Sequence, residues 1–127
     1  MTEDEIHIII QSFADAARRG RDAGFDGIEI HGANTYLLQK FVSPHSNRRT
    51  DKWGRNRLKF SREVVSAVLS AVGPDYPVGY RFSPEEKESP GIRLPDTLAL
   101  IEMLCHFPLA WLHISLSDFR QSSLVGD

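Results

Sequence analysis

Cysteine is almost absent: Cys105 stands alone among 127 residues. An internal disulfide is therefore excluded, and the usage fits a reducing, cytoplasmic setting. Long apolar runs are missing as well. None approaches the roughly 20 residues needed to cross a bilayer, so no membrane partner is expected. The start, MTEDEIHIII, is acidic from its third residue and does not read as a secretion signal. There is no excess of positive charge: 15 Lys and Arg stand against 17 Asp and Glu, a net charge of -2. A nucleic-acid partner would require a basic surface that this balance does not supply. The five histidines form no His-x-His or His-x-x-x-His pair, which removes the usual signature of a local metal site. Low-complexity stretches and linker-like segments are also lacking, so residues 1–127 read as a single domain.

What is present alternates between two hydrophobic periods. Thr2 with Glu5 has the spacing of a capping box, and Ile6, Ile9, Ile10, Phe13 and Ala17 then share one helical face. This predicts a helix from about residue 3 to residue 22, stopped near Gly24. The turn Phe25-Asp26-Gly27 feeds a short apolar strand, Ile28 to His31. Asn34 and Tyr36 follow on what reads as the first turn of a short helix ending near Phe41. Val42 to Arg57 is a long polar loop in which Pro44 prevents helix continuation. Phe60, Val64, Val65, Val68 and Val72 mark another helix, ended by Gly73-Pro74. Pro77 to Phe82 predicts a second strand and Trp111 to Ser115 a third. Between them Pro95 opens a helix whose buried face is expected to carry Leu98, Ile101, Leu104 and Cys105.

Helix, strand, helix, strand, helix, strand is the order of an α/β protein with a parallel sheet. Each strand ends in polar residues: His31, then Arg81 and Ser83, then His113 and Ser115. Polar tips on parallel strands point to one reactive face. Three strands leave two open edges, and 127 residues fall short of the roughly 250 of a complete eight-fold barrel.

The stretch GFDGIEIHGANTYLLQKFVSPHSNRRTDKWG resembles the strand-four region of the old yellow enzyme family, the FMN-dependent NAD(P)H:flavin oxidoreductases and ene-reductases. The resemblance rests on His-x-x-Asn-x-Tyr, then Ser-Pro, then Asn-x-Arg-Thr-Asp, and continues through REVVSAVLSAVG and PVGYRFSP. It implies part of a (β/α)8 barrel, about strands four to six, with FMN at the C-terminal mouth. By that resemblance, His31 and Asn34 hydrogen-bond the carbonyl oxygen of an α,β-unsaturated substrate. Tyr36 protonates the substrate, and Arg81 lies against the flavin's pyrimidine edge. The chemistry is coherent. Hydride addition builds negative charge on the carbonyl oxygen, and two donors stabilise it. A Tyr hydroxyl keeps its proton at neutral pH and can give it up. A permanent guanidinium charge favours an anionic reduced flavin.

The resemblance implies a fragment of an enzyme that passes hydride from NAD(P)H through FMN to an activated C=C or a related acceptor. The fragment alone is expected to be inactive and not to retain FMN. The residues Gly54-Arg55-Asn56-Arg57 are shorter than the family's usual continuation, so that loop reads as trimmed. Two other classes are open to the sequence. One is a non-catalytic module whose copies cover each other's sheet edges. The other is a metal-dependent hydrolase using His31, His113 and Asp118, which the missing His clusters disfavour. His113 itself reads as structural, His7, His45 and His106 as loop or surface residues, and Arg48 to Lys52 as a solvated, self-paired run.

Overall fold

The computed structural model describes residues 1–118, 120 and 122–124. Its first helix, α1 (Glu3–Asp22), begins at the expected capping box. The Glu5 N–H donates to Thr2 Oγ1 at 3.2 Å, and the Thr2 N–H donates to Glu5 Oε2 at 2.6 Å. Two of the otherwise unpaired donors of the first turn are thereby satisfied. Asp and Glu in the first turn and Arg in the last also oppose the helix dipole. Ile6, Ile10, Ala14 and Ala17 are buried at the helical repeat, and Gly24, at φ 90°, takes the left-handed position beyond the last turn.

Strand β1 (Ile28–Gly32), helix α2 (Leu37–Val42), helix α3 (Lys52–Arg55), helix α4 (Lys59–Val72), strand β2 (Val78–Phe82), helix α5 (Leu94–Leu104) and strand β3 (Trp111–Ile114) follow. The three strands form one parallel sheet in the order β1-β2-β3. Strand periodicity divides its residues between two faces. Ile30, Val78, Tyr80 and Phe82 are buried on one of them. They share a core with Ile6 and Ile10 of α1, Phe60, Val64, Val65 and Val68 of α4, and Leu100, Met103 and Leu104 of α5. Phe41 of α2 stacks on Phe60 with ring centroids 4.1 Å apart. Tyr80 is fully buried, and burial pushes its hydroxyl up to about 12 even though Ser61 shares a 3.0 Å hydrogen bond with it.

Several expectations need correction. Asn34 and Thr35 are not helical: both adopt left-handed backbone, φ 56° and 64°, and α2 starts only after Tyr36, its N-cap. The loop after Val42 contains a helical turn, α3, nucleated by Asp51, whose side chain accepts from the Trp53 N–H at 3.0 Å. That cap delivers Trp53 into the core, edge-on to Phe60. The run Arg48 to Lys52 is only partly self-paired: Arg49 does pair with Asp51, but Lys52 reaches Glu3 of α1. On α5 the apolar spacing misleads. Leu98 is 56% exposed, and Cys105 is exposed as the C-cap. The buried positions are Thr97, Leu100, Met103 and Leu104, one step around the helix. Leu112 and Ile114 sit in register with Tyr80 and Phe82, yet remain substantially exposed, unlike Ile30 on the other edge strand. Among the described residues no helix is long and apolar enough to cross a membrane.

Burial separates neighbouring positions of α1 sharply. Ile6 is fully buried while Ile8 is 65% exposed. Ile6→Ala should therefore cost about 2–5 kcal/mol of unfolding free energy, and Ile8→Ala about 0.5 kcal/mol or less, as read from urea titrations. Similar losses at both positions would mean that α1 does not present this face to the sheet.

Candidate functional site

The second sheet face is polar, and its register explains why. Glu29 and His31 are two residues apart on β1, Gly79 and Arg81 on β2, and Trp111 and His113 on β3. Each pair therefore projects to the same side. Pairing aligns His31 with Arg81 and Arg81 with His113, giving one row at the C-terminal end. Glu29, Gly79 and Trp111 form the row below. A Cβ added at Gly79 would lie 2.0 Å from Trp111 Cε2. The bare glycine lets the indole lie across β2 and donate Nε1–H to Glu29 Oε2 at 2.7 Å. The His113 Nδ1 sits 3.0 Å from the same oxygen. Because a carboxylate only accepts, this contact fixes the hydrogen on Nδ1 and leaves Nε2 as the outward nitrogen. Partial burial works against the Glu29 charge, but the Trp111 and His113 hydrogen bonds, with the charges of His113 and Arg81, outweigh it and hold the carboxyl below its usual range.

The row above opens at the mouth of the strands. Arg81 donates Nη2–H to Ser115 Oγ at 2.8 Å, and Ser115 donates to Asn34 Oδ1 at 3.1 Å. Ser83 Oγ accepts the Asn34 backbone N–H at 3.0 Å. Its hydroxyl faces Asn34 Oδ1 at 3.4 Å. With its carbonyl end so occupied, the Asn34 amide presents NH2 as the free end of the group. Arg81 Nε is buried without a hydrogen-bond partner among the described residues. The His31 and Tyr36 rings pack at 5.1 Å between centroids, tilted by 50°, and Tyr36 is otherwise 63% exposed. Asn34, Ser83 and Ser115 line a cleft of ≈ 220 Å³ that extends to Glu85, Glu86 and Lys87 of the loop after β2.

The four residues singled out by sequence thus fall into two pairs. His31 meets Tyr36 by ring contact, and Arg81 meets Asn34 through Ser115. Backbone pairing of His31 with Arg81 sets the two side by side. The residues missed were Glu29, Gly79 and Trp111 below the row, and Ser115 as the link within it. Their signal was available: a lone Glu in an apolar strand, two positions before His31, shares its face. His113, read as structural, is tied to Glu29 as part of the brace between β1 and β3. The alternative metal set is not assembled. Asp118 pairs with Arg120, and the Arg81 cation occupies the strand between His31 and His113. Among the described residues no three His, Cys, Asp or Glu side chains group as ligands.

A carboxyl held below its usual range stabilises the fold above its unfolded value and loses that contribution as pH falls through its folded value. Glu29 should therefore cost the chain stability as pH drops below about 4.5. Glu29→Gln should be less stable at pH 7 and should lose less on acidification, as seen in unfolding midpoints from pH 7 to pH 3. A parallel acid limb in the two proteins would show that the charge on Glu29 does not brace β3 against β1.

Comparison with known proteins identifies the family and the fold. Residues 1–120 match the NADH:flavin oxidoreductase / NADH oxidase family. The chain is 47% identical over 132 residues to NADH:acrylate oxidoreductase of Vibrio harveyi, covering 98% of this chain and 13% of that protein. It is 44% identical over 133 residues to the probable NADH-dependent flavin oxidoreductase YqiG of Bacillus subtilis, covering 99% of this chain and 36% of that protein. It superposes on the old yellow enzyme homologue from Zymomonas mobilis with a TM-score of 0.80 at 28% identity, over 90% of this chain and 34% of that one. The chain thus spans about a third or less of the length of these relatives. A polar row at the C-terminal ends of parallel strands, an apolar face under alternating helices and these likenesses lead to one conclusion: the chain belongs to the NADH:flavin oxidoreductase / NADH oxidase family and forms part of an old yellow enzyme barrel.

Proposed function

We propose that this segment supplies the substrate-activating side of an FMN-dependent reductase acting on C=C bonds conjugated to a carbonyl or carboxylate. The observation that carries the reading is the row His31–Arg81 with its two attached groups: the Asn34 amide donor and the Tyr36 hydroxyl. The acrylate in the name of the Vibrio harveyi relative belongs to that substrate class. FMN fits the polar face. Arg81 keeps a buried N–H without a partner among the described residues, and a permanent cation there suits the electron-rich edge of a reduced isoalloxazine. FMN, when bound, supplies the hydride that it takes from NAD(P)H.

The chain's own residues do the rest. The free Asn34 NH2 and a His31 ring N–H donate to the substrate oxygen, which becomes more negative as hydride arrives at the β-carbon. Donors fixed in place before the charge develops lower the barrier more than mobile water does. The Ser115 and Ser83 hydroxyls face the carbonyl end of the Asn34 amide, so its donor end is set in advance. Tyr36 gives its phenolic proton to the α-carbon, and its ring is steadied by His31. Arg81, tied through Ser115 to Asn34, couples the flavin side of the row to the substrate side. The exposed apolar flank at Leu98, Leu112 and Ile114 is where the remaining strands and helices of the barrel pack. The 127 residues by themselves are expected to hold FMN weakly.

In the flavin-loaded enzyme, Tyr36→Phe should slow oxidation of the reduced flavin by substrate by roughly 10²-fold and leave flavin reduction by NAD(P)H unaffected. Stopped-flow measurement of the two half-reactions separates them. An unchanged oxidative half-reaction would remove Tyr36 as the proton donor.

A further inference from the structure

The turn that carries Asn34 and Tyr36 is held in a backbone conformation its residues resist. Asn34 and Thr35 both lie in the left-handed region, at φ 56° and 64°. Asn tolerates that region. Thr, branched at Cβ, does so only when its surroundings impose it. Three fixtures impose it here. Ser83 Oγ accepts the Asn34 N–H at 3.0 Å. The Ala33 carbonyl accepts the Tyr36 N–H at 3.2 Å. Between them, the Thr35 N–H donates to Gln39 Oε1 at 3.0 Å.

Gln39 is not a surface residue that happens to reach back. It is 3% exposed, and its NH2 donates to Glu86 Oε1 at 2.8 Å. Glu86, 9% exposed, is held in turn on its other oxygen by the Ser43 hydroxyl and the Ile92 N–H. Its backbone carbonyl accepts Arg93 Nη1–H at 2.6 Å. A buried carboxylate thus fastens the loop after β2 to α2 at Gln39 and at the C-cap Ser43, and Gln39 passes that constraint to the one residue of the turn least suited to its conformation.

We infer that Gln39 and Glu86 are positioning residues for the reaction: they keep the Asn34–Thr35 turn left-handed and so set the Tyr36 ring against His31. The inference rests on the reading of Tyr36 as proton donor for its kinetic consequence, but not for its structural one. Release of Thr35 lets the turn relax toward ordinary backbone. Tyr36, the next residue and the N-cap of α2, then leaves its place.

The test is a double-mutant cycle between Gln39→Met and Thr35→Gly, with two readouts. One is the NMR cross-peak between the Tyr36 and His31 ring protons in the 127-residue chain. The other is the oxidative half-reaction in the flavin-loaded enzyme. Gln39→Met alone should weaken the cross-peak and slow the oxidative half-reaction by roughly 10- to 100-fold, the usual effect of a displacement near 1 Å, with flavin reduction by NAD(P)H unchanged. In the Thr35→Gly background the same substitution should have little effect on either, because glycine holds a left-handed φ without restraint. Equal effects in both backgrounds, or an intact cross-peak in Gln39→Met, would overturn the inference. Where Gln39→Met destabilises the chain, unfolding midpoints read the same cycle: the loss must shrink in the Thr35→Gly background, and an equal loss overturns it. If Tyr36→Phe leaves the oxidative half-reaction unchanged while the cross-peak still depends on Gln39, the proton-donor reading fails and the positioning role stands.

Discussion

The structure depends on the burial of one sheet face. Ile30, Val78, Tyr80 and Phe82 must be covered, and α1 and α4 cover them with Ile6, Ile10, Phe60, Val64 and Val68. Strand geometry then leaves no choice for the residues between: Glu29, His31, Arg81, Trp111 and His113 face the other way. The polar face is therefore a consequence of the apolar one. Loss of the helical cover would scatter the row on which the proposed chemistry rests, even though no helix contributes a side chain to it. Parallel pairing does the remaining alignment, since its backbone register brings the ends of three distant segments to one level, where side chains such as Arg81 and Ser115 then meet.

That face is itself layered. The lower row is a brace: Glu29 binds Trp111 and His113 across the bare backbone of Gly79. The upper row is open, with a buried Arg81 N–H that has no partner among the described residues and an Asn34 amide whose carbonyl end is held by Ser115, leaving its NH2 end toward the mouth. The contrast between satisfied groups below and unsatisfied groups above is what a binding surface on a packed floor requires. Natural proteins rarely leave a buried donor unpaired without a reason. The strained turn beside the row fits the same pattern, as departures from ordinary backbone collect where function fixes geometry.

Much of this was legible from residues alone. The capping box of α1, the three strands, the α4 face and the residues His31, Asn34, Tyr36 and Arg81 all carried local signals. What escaped depended on tertiary context. Leu98 and Cys105 look like core by composition, but α5 turns Leu100 and Met103 to the sheet instead, and periodicity over a short apolar helix cannot fix its rotation. Asn34 and Thr35 look helix-compatible. Their left-handed backbone is imposed by Ser83 and Gln39, partners 49 and 4 residues away. The α3 turn needed Trp53 to find a buried site under α1. Glu86 reads as one charge among several in a loop, and only the folded chain shows that it alone among its neighbours is buried.

The central claim is that the Arg81 row is the flavin-facing side of the site, and the midpoint potential of the bound FMN tests it most directly. With Arg81→Met in the flavin-loaded enzyme, loss of a cation beside the reduced ring should lower the two-electron potential by on the order of 30 mV or more, the equivalent of a tenfold or greater weakening of the reduced state. A variant that binds FMN with an unchanged potential would contradict the placement of Arg81 and, with it, the assignment of this sheet face to the flavin.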